Sequence, residues 1–214
     1  MTANNDDKRT EKQKMLDGDL YTAFGPELYN ERMHCKKLLY EYNLTKPDEQ
    51  EKRSQIIKQL FGKVGVGPYI EAPFRCDHGY NIEWGNDSVA NHNLIILDEC
   101  KVTIGNNVLI GPDVKISTAT HPTDPQIRLD GYEYGKPITI GNNVWIGGGA
   151  IINANVTIGD NSVIGSGSVV TKNIPENVVA VGIPCKVIKK LEPPTRKSAA
   201  TGIYAVNTSE NDVQ

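Results

Sequence analysis

A repeat of six residues is the feature of this sequence that most restricts its fold. Units such as IGNNVW, IGGGAI and IGDNSV begin with an aliphatic residue and carry a small or aliphatic residue at the fifth position. A period of six fits neither an amphipathic helix, which repeats every 3.6 residues, nor a long strand, which alternates. Twelve units are recognisable, and their first positions are Trp84, Ala90, Ile96, Ile104, Ile110, Ile116, Ile140, Ile146, Ile152, Ile158, Ile164 and Val170.

Hexapeptide repeats are typical of parallel β-helices, in which each unit forms one short strand and one corner. If three units make one triangular turn, the twelve units make four turns, with the first-position side chains stacked in the core. Glycine or asparagine follows many of these residues. We attribute them to corners with a backbone conformation that a side chain with a Cβ disfavours. Hydrogen bonds between turns leave open ladders at both ends, which need covering elements.

The segment before the repeat has helical spacing. Leu28, Cys35, Leu39 and Tyr42 fall on one apolar stripe, and Ile56, Ile57, Leu60 and Phe61 fall on a second. Both chain ends are polar and lack periodicity. We therefore predict four parts: a flexible N-terminus (1–12), a helical domain (13–67), a β-helix (68–191) interrupted by a loop (118–137), and a flexible tail (192–214).

Composition excludes several classes of protein. Lys and Arg total 23 against 26 Asp and Glu, so the chain lacks the positive excess that binding to nucleic acid usually requires. No apolar stretch approaches the roughly 20 residues of a membrane span, and the polar start does not resemble a signal peptide. The four cysteines form no CxxC pair. We expect a cytoplasmic protein that binds neither membrane nor nucleic acid.

His121 stands out chemically, because it ends the unit ISTATH where the aliphatic repeat stops. The interruption continues through Pro137, and long loops inside compact domains are often functional. Histidine exchanges a proton near neutral pH without strong perturbation, which makes His121 a candidate general base. The alternative is that His121 only caps a turn.

Three motifs together resemble a known family. THP (120–122), GNNVWIGG (141–148) and GIPCKVIKK (182–190), with the helical segment 14–43 and FRCDHGYNI (74–82), resemble the maltose and galactoside O-acetyltransferases. The resemblance covers residues 13–191. It implies a mainly β fold, a left-handed parallel β-helix with a small N-terminal α-helical segment. It also implies acetyl-CoA-dependent transfer of an acetyl group to a hydroxyl of a sugar such as maltose, glucose or a galactoside.

The resemblance also assigns roles to residues around the acceptor. His121 would be the general base, and the backbone amide of Gly148 would stabilise the oxyanion. Asp77, Asn91 and Glu99 match positions that contact the acceptor, and carboxylates and amides suit sugar hydroxyls. Asn91 is alternatively a simple corner residue. Ala23 stands where galactoside-specific members have an acid, which weakens a galactoside assignment.

The donor site implied by the resemblance lies along the final turns. Lysines suit the phosphates of coenzyme A, and small residues leave a groove for its pantetheine arm. Trp145 projects outward toward the cofactor or a neighbouring subunit, and Lys189 is alternatively a solvated surface residue. The matching positions are Trp145, Gly148, Ser166, Thr171, Lys172, Lys186 and Lys189.

Members of this family form homotrimers with active sites between subunits, so the resemblance implies the same assembly here. Two other functions stay open: the same chemistry on a non-sugar acceptor, and a non-catalytic hexapeptide scaffold that would not need His121. A zinc enzyme resembling γ-class carbonic anhydrase would need converging imidazoles. His78, His92 and His121 contain no closely spaced pair, so we expect no metal.

Overall fold

The computed structural model describes residues 7–195. The predicted flexible ends therefore fall partly outside the described residues, at 1–6 and 196–214. No helix within 7–195 is both long and apolar enough to span a bilayer. The helices are α1 (Glu11–Asp17), α2 (Pro26–Asn43), α3 (Gln50–Leu60) and α4 (Pro125–Leu129).

The strands are short, most of them two to four residues long. They are β1 (Tyr21–Thr22), β2 (Lys63–Val64), β3 (Tyr69–Ile70), β4 (Phe74–Cys76), β5 (Ile82–Trp84), β6 (Val89–Ala90), β7 (Leu94–Leu97), β8 (Val102–Ile104), β9 (Leu109–Ile110), β10 (Lys115–Ser117), β11 (Ala119–Thr120), β12 (Tyr132–Gly135), β13 (Ile138–Ile140), β14 (Trp145–Ile146), β15 (Ile151–Ile152), β16 (Thr157–Ile158), β17 (Val163–Ile164), β18 (Val169–Val170), β19 (Val178–Val181) and β20 (Lys186–Lys190).

Three sheets form the sides of a parallel solenoid. Sheet 1 has the order β18-β15-β10-β7-β4, sheet 2 the order β16-β13-β8-β5-β2, and sheet 3 the order β20-β19-β17-β14-β9-β6-β3. The repeat sets the register, since Ile104 pairs with Ile140 and Ile146 with Ile164. All twelve predicted first positions lie in strands and are at most 3% exposed. The predicted fold class is confirmed.

The solenoid is longer than the four turns predicted. Val64, Ile70 and Cys76 are also six residues apart, and they pair with Trp84, Ala90 and Ile96 of the next turn. A partial turn follows at the other end, where Ile174 bridges to Ile158. The solenoid strands therefore begin at residue 63, before the predicted boundary at 68.

The helical segment covers the first turn. Both predicted apolar stripes are buried, and most of their members share one hydrophobic cluster with the solenoid core. The Tyr42 hydroxyl donates to the Ile70 carbonyl at 2.5 Å, and Asn43 exchanges two hydrogen bonds with the backbone of Phe74. These bonds satisfy part of the exposed ladder at this end. Helix α1 begins at Glu11, inside the range predicted to be flexible.

The corners need two different backbone features. The fourth position of the unit adopts the left-handed region, and residues such as Asn107 (φ 55°) and Asn143 (φ 55°) occupy it. Asparagine and aspartate tolerate this conformation better than other non-glycine residues. The glycine at the second position has another reason. A Cβ on Gly105 would lie 2.6 Å from the backbone of Gly141 in the next turn. Close approach of stacked turns, rather than an unusual φ, therefore explains this glycine.

Replacing Gly105 by alanine tests this explanation. The added methyl group would force the two turns apart, so Gly105→Ala should lower the free energy of unfolding by about 1–3 kcal/mol, the usual range for overpacking. Urea denaturation followed by circular dichroism would measure the loss. Gly25→Ala is the control, because a Cβ there meets nothing within 4 Å. Equal stability of the two variants would contradict the explanation.

Candidate active site

The solenoid has three columns of stacked corners, and they differ in chemistry. Corner A joins sheet 3 to sheet 1 and contains residues 71–73, 91–93, 111–113, 147–149 and 165–167. Corner B joins sheet 1 to sheet 2 and contains residues 77–81, 98–101, 118–137, 153–156 and 171–173. Corner C joins sheet 2 to sheet 3. The predicted site residues lie on corners A and B and on sheet 3.

Corner C is a ladder of side chains that satisfy one another. The Asn142 side chain accepts a bond from the Asn106 amide, and the Asp160 carboxylate accepts one from the Asn142 amide. In a second row of the same corner, the side-chain amide of Asn161 donates to the side-chain oxygen of Asn177. These groups tie successive turns together and leave little capacity for a ligand.

The long loop of corner B, residues 118–137, is an ordered hairpin. Strands β11 and β12 pair antiparallel, and the short helix α4 lies between them, capped by Asp124. His121 directly follows β11 and is exposed. Next to it, Arg128 donates to the carbonyls of Pro122 and Thr123 at 2.6 and 2.8 Å, which fixes the chain beyond His121. The hairpin thus presents the imidazole to solvent from a defined backbone.

A cluster of carboxyl groups lies in the two turns stacked beside this hairpin. Burial and the neighbouring Asp77 raise the pKa of Glu99 to about 9. Burial raises the pKa of Asp98 to about 7, although its Oδ1 accepts bonds from the backbone amides of Asp77 and His78 at 3.0 Å. Thr118, at the start of the hairpin, donates its amide N–H to the Leu97 carbonyl and packs its hydroxyl 3.4 Å from Glu99. The structure therefore brings Asp77 and Glu99 together, next to the hairpin of His121.

Asp98 was not among the predicted site residues. It is fully buried, and it holds the turn that carries Asp77 in place through the amide bonds. The adjacent acids Asp98 and Glu99 in one corner were the signal that could have found it. His78 is also buried, and burial lowers its pKa to about 4. It is therefore a neutral imidazole packed against Tyr80, whose ring lies 5.2 Å away.

Asn91 lies apart from this acidic cluster. It precedes β7 on corner A, whereas Glu99 follows β7 on corner B. Its side chain is exposed, and its Oδ1 accepts a bond from the His92 amide at 2.7 Å. Within one chain, the three predicted acceptor residues are therefore divided between the two edges of sheet 1.

The predicted donor residues are also divided. Gly148 and Ser166 stack on corner A, where the Gly148 carbonyl accepts from the Gly167 amide at 2.9 Å. Thr171 and Lys172 lie on corner B. Trp145, 54% exposed, lies on the outer side of sheet 3, where its row of paired residues continues through Val163 and Val179 to Lys189. Lys186 lies at the other end of the exposed strand β20.

The backbone amide of Gly148 differs from those of its two neighbours. The amides of its neighbours are used, since Gly147 donates to the Ile164 carbonyl and Gly149 to the Pro112 carbonyl. The Gly148 amide has no backbone acceptor among residues 7–195. Gly148 is half-buried.

His121 and Gly148 lie on different corners of the chain. Corner B and corner A are separated by a strand of sheet 1 with its flanking residues, roughly 15 Å at about 3.3 Å per residue. No group of three or more His, Cys, Asp or Glu side chains in the described part of the chain is arranged to hold a metal ion.

Comparison with family models agrees with both parts of the fold. Residues 14–65 match the maltose acetyltransferase hexapeptide capping motif. Residues 137–172 match the bacterial transferase hexapeptide model, which contains six repeats. The two matches correspond to the helical segment with the first strand of the solenoid and to its final turns.

Relatives and solved structures match along most of the chain. A putative acetyltransferase of Saccharomyces cerevisiae is 51% identical over 90% of this chain and 97% of its own length. The structure of a maltose O-acetyltransferase from Clostridium difficile 630 is 56% identical with a TM-score of 0.86, covering 87% of this chain and 100% of that one. A galactoside acetyltransferase in complex with coenzyme A is 47% identical with a TM-score of 0.83, covering 86% and 92%. The chain therefore belongs to the maltose and galactoside O-acetyltransferase family of hexapeptide-repeat acetyltransferases.

Proposed function

We propose that this protein transfers the acetyl group of acetyl-CoA to a hydroxyl of a sugar, with His121 as the general base. The observation that carries the proposal is the position of His121. It is an exposed imidazole on an ordered hairpin that interrupts the solenoid of an acetyltransferase, beside a pair of carboxyl groups. Coenzyme A is bound in the structure of a galactoside acetyltransferase relative, which supports the donor.

The chemistry needs a base and an oxyanion donor. The imidazole of His121 accepts the hydroxyl proton as the sugar oxygen attacks the thioester carbonyl. The new C–O bond forms, the carbonyl oxygen takes the negative charge, and the Gly148 amide donates a hydrogen bond to it. Collapse of the intermediate breaks the C–S bond, and the proton held by His121 passes to the departing thiolate. The free amide of Gly148 is suited to this role because it gives up no backbone bond.

The acidic cluster supports a polyhydroxyl acceptor. With a pKa of about 9, Glu99 keeps its proton at neutral pH and is hydrogen-bonded to Asp77, so the pair holds one proton that can be donated beside oxygens that accept from hydroxyls. A sugar presents hydroxyl groups that both donate and accept, so this pair matches adjacent hydroxyls. A non-sugar acceptor with a single hydroxyl would use only part of this pair.

The distance between His121 and Gly148 supports an oligomeric site. A site that uses both residues requires corner B of one chain to face corner A of another, a contact between unlike surfaces that closes into a ring. A homotrimer satisfies this requirement with three equivalent sites, and it also brings Asn91 of one chain toward Asp77 and Glu99 of the next. Half-buried aliphatic residues on the outer side of sheet 1, Ile95, Ile151 and Val169, are available for subunit contact.

The donor would lie along corner A and sheet 3. Gly148 and Ser166 have no bulky side chain to obstruct a ligand on corner A, and Trp145 is exposed on the adjoining sheet 3. Lys186 and Lys189 supply positive charge on β20 for the phosphates. Thr171 and Lys172 would join from corner B of the neighbouring chain. A non-catalytic scaffold would need neither these lysines nor an exposed imidazole.

His121→Ala tests the base. We expect turnover to fall by about 10²–10⁴, the range for loss of a general base, with an unchanged melting temperature because His121 is exposed. Release of coenzyme A would be followed with a thiol reagent in the presence of maltose, glucose, a galactoside or a hydroxylated non-sugar acceptor. His34→Ala is the control, since His34 is an exposed imidazole on α2. Full turnover in His121→Ala would refute the assignment.

Mixing two inactive variants tests the shared site. His121→Ala removes the base, and Gly148→Leu places a bulky side chain where the thioester would approach the Gly148 amide. In mixed trimers about one site in four would combine an intact His121 with an intact Gly148 of the adjacent chain. We therefore expect co-refolded equal mixtures to recover about a quarter of the wild-type rate, allowing for random assembly. If the mixture is no more active than either variant by itself, the two residues act within one chain.

The protonated state of Glu99 predicts a pH dependence of stability. Glu99 has a higher pKa in the folded protein than in the unfolded chain, so between the two values the folded state binds more protons. The free energy of unfolding therefore falls as pH rises from about 4.5 to about 9. Glu99→Gln is neutral at every pH and should remove the contribution of Glu99 to this loss, about 2–3 kcal/mol between about pH 6 and about pH 8. Urea unfolding at both pH values would measure it. The exposed Glu51→Gln serves as the control, and identical pH slopes in all three proteins would contradict a buried protonated Glu99.

A further inference from the structure

The hairpin that carries His121 has a third strand, and it comes from the N-terminal segment. Strand β1 pairs antiparallel with β12, and β12 pairs with β11, which gives the sheet order β1-β12-β11. His121 is the first residue after β11. The N-terminal segment therefore does more than cover the end of the solenoid, because it forms one edge of the sheet that presents the imidazole.

One side-chain pair joins β1 to the hairpin. Tyr21 and Glu133 are directly opposite in the register, and the Tyr21 hydroxyl donates to Glu133 Oε1 at 2.5 Å. Tyr21 is 1% exposed and packs in a cluster with Met15 and Leu28, whereas Glu133 is only partly buried. The buried tyrosine thus holds a side chain of β12 that is itself only partly buried.

Strand β1 and the residues before it are also held by bonds to α1, to corner B and to the end of the hairpin. The Glu11 carboxylate accepts bonds from the amide and the hydroxyl of Thr22, and the Lys136 ammonium donates to the Gly18 carbonyl at 2.8 Å. The Cys100 thiol donates to the Met15 carbonyl, which ties α1 to corner B. Strand β1 is therefore a fixed reference against which the hairpin can be placed.

The hairpin itself has little packing of its own. Helix α4 has no buried residue, and β11 contributes two residues that are only half-buried. Isolated two-stranded hairpins are at most marginally stable, and a third strand is normally needed to define them. The position of His121 therefore depends on how firmly β12 is held by β1.

We propose that Tyr21 is a positioning residue for acetyl transfer: through its hydrogen bond to Glu133 it sets the β11–β12 hairpin and thereby places the His121 imidazole against the acceptor hydroxyl. The inference rests on the proposed role of His121 as base. Tyr21 acts through the hairpin and does not touch the reacting atoms. Displacement of a catalytic group by about 1 Å costs up to about 100-fold in rate, so a single hydrogen bond at this place has a large effect.

Tyr21→Phe is the direct test, because it removes the hydroxyl and keeps the ring. We expect kcat for sugar-dependent release of coenzyme A to fall by about 10- to 100-fold, while the KM for acetyl-CoA stays unchanged because the proposed donor residues lie outside the hairpin. Tyr29→Phe is the matched control, since Tyr29 is 56% exposed on α2. Unchanged kcat in Tyr21→Phe, or an equal fall in both variants, would overturn the proposal.

Variants of Glu133 test the same hydrogen bond through its other partner. Glu133 is half-buried, so replacing it disturbs the core less than replacing the buried Tyr21. Glu133→Gln keeps an oxygen acceptor and should retain near wild-type kcat, whereas Glu133→Ala should reproduce the fall seen in Tyr21→Phe. The double variant Tyr21→Phe/Glu133→Ala should fall no further than either single variant. Additive losses, or equal kcat in Glu133→Gln and Glu133→Ala, would overturn the proposal even if Tyr21→Phe does not fold.

His121→Ala measured in the same assay separates this inference from the function on which it rests. If His121→Ala is inactive and Tyr21→Phe has wild-type kcat, only the positioning role is wrong. If His121→Ala keeps full turnover, the base assignment is wrong and the positioning role is refuted with it.

Discussion

The stacking of one turn on the next, in register and at close distance, is the constraint on which the rest of this structure depends. Each turn donates its backbone amides to the carbonyls of its neighbour, as Gly105 does to Ile140 and Gly141 to Ile158. The aliphatic first positions then lie directly above one another and exclude water from the centre of the prism. Glycine at the second position permits the close approach, and asparagine at the fourth turns the chain. Every corner is repeated at a fixed spacing, so a side chain added at one corner has a defined neighbour in the next turn.

Such a prism has flat sides, and this shapes its chemistry. The corners and faces are the places where polar groups can gather, and no deep pocket forms inside a core filled by stacked aliphatic residues. In corner B the unit that would have continued the stack is replaced by the hairpin of His121. The carboxyl groups of Asp77 and Glu99 lie in the two turns beside it. Burial of Glu99 and the nearby Asp77 raise the pKa of Glu99 to about 9, so Glu99 keeps its proton near neutral pH. The Gly148 amide lies at the other edge of sheet 1.

The N-terminal helices serve the site as well as the fold. Helices α2 and α3 close the first turn, whose ladder would otherwise be an open sheet edge, and they share the core with it. Helix α1 and strand β1 reach past this end to the hairpin, where Tyr21 meets Glu133. The segment that covers the solenoid is thereby also connected to the element that carries the imidazole. In a repeat protein, whose turns contact only their neighbours, such a connection is the means by which one end can influence a site several turns away.

The six-residue period by itself determined the solenoid, the phase of its core and the place where it is interrupted, because the period follows from local backbone geometry that each unit satisfies alone. Helical spacing likewise predicted the buried stripes of α2 and α3. The first turn was missed, although Val64, Ile70 and Cys76 keep the spacing, because two of these residues precede acids rather than glycine or asparagine. Only the tertiary structure decided the rest. It brings Asp77, Asp98 and Glu99 together, and it joins Tyr21 to Glu133, 112 positions away. It also places His121 and Gly148, which the proposed chemistry uses together, on different corners. These relations depend on which turn stacks on which and on how the hairpin folds back. A pattern of local spacings does not specify them.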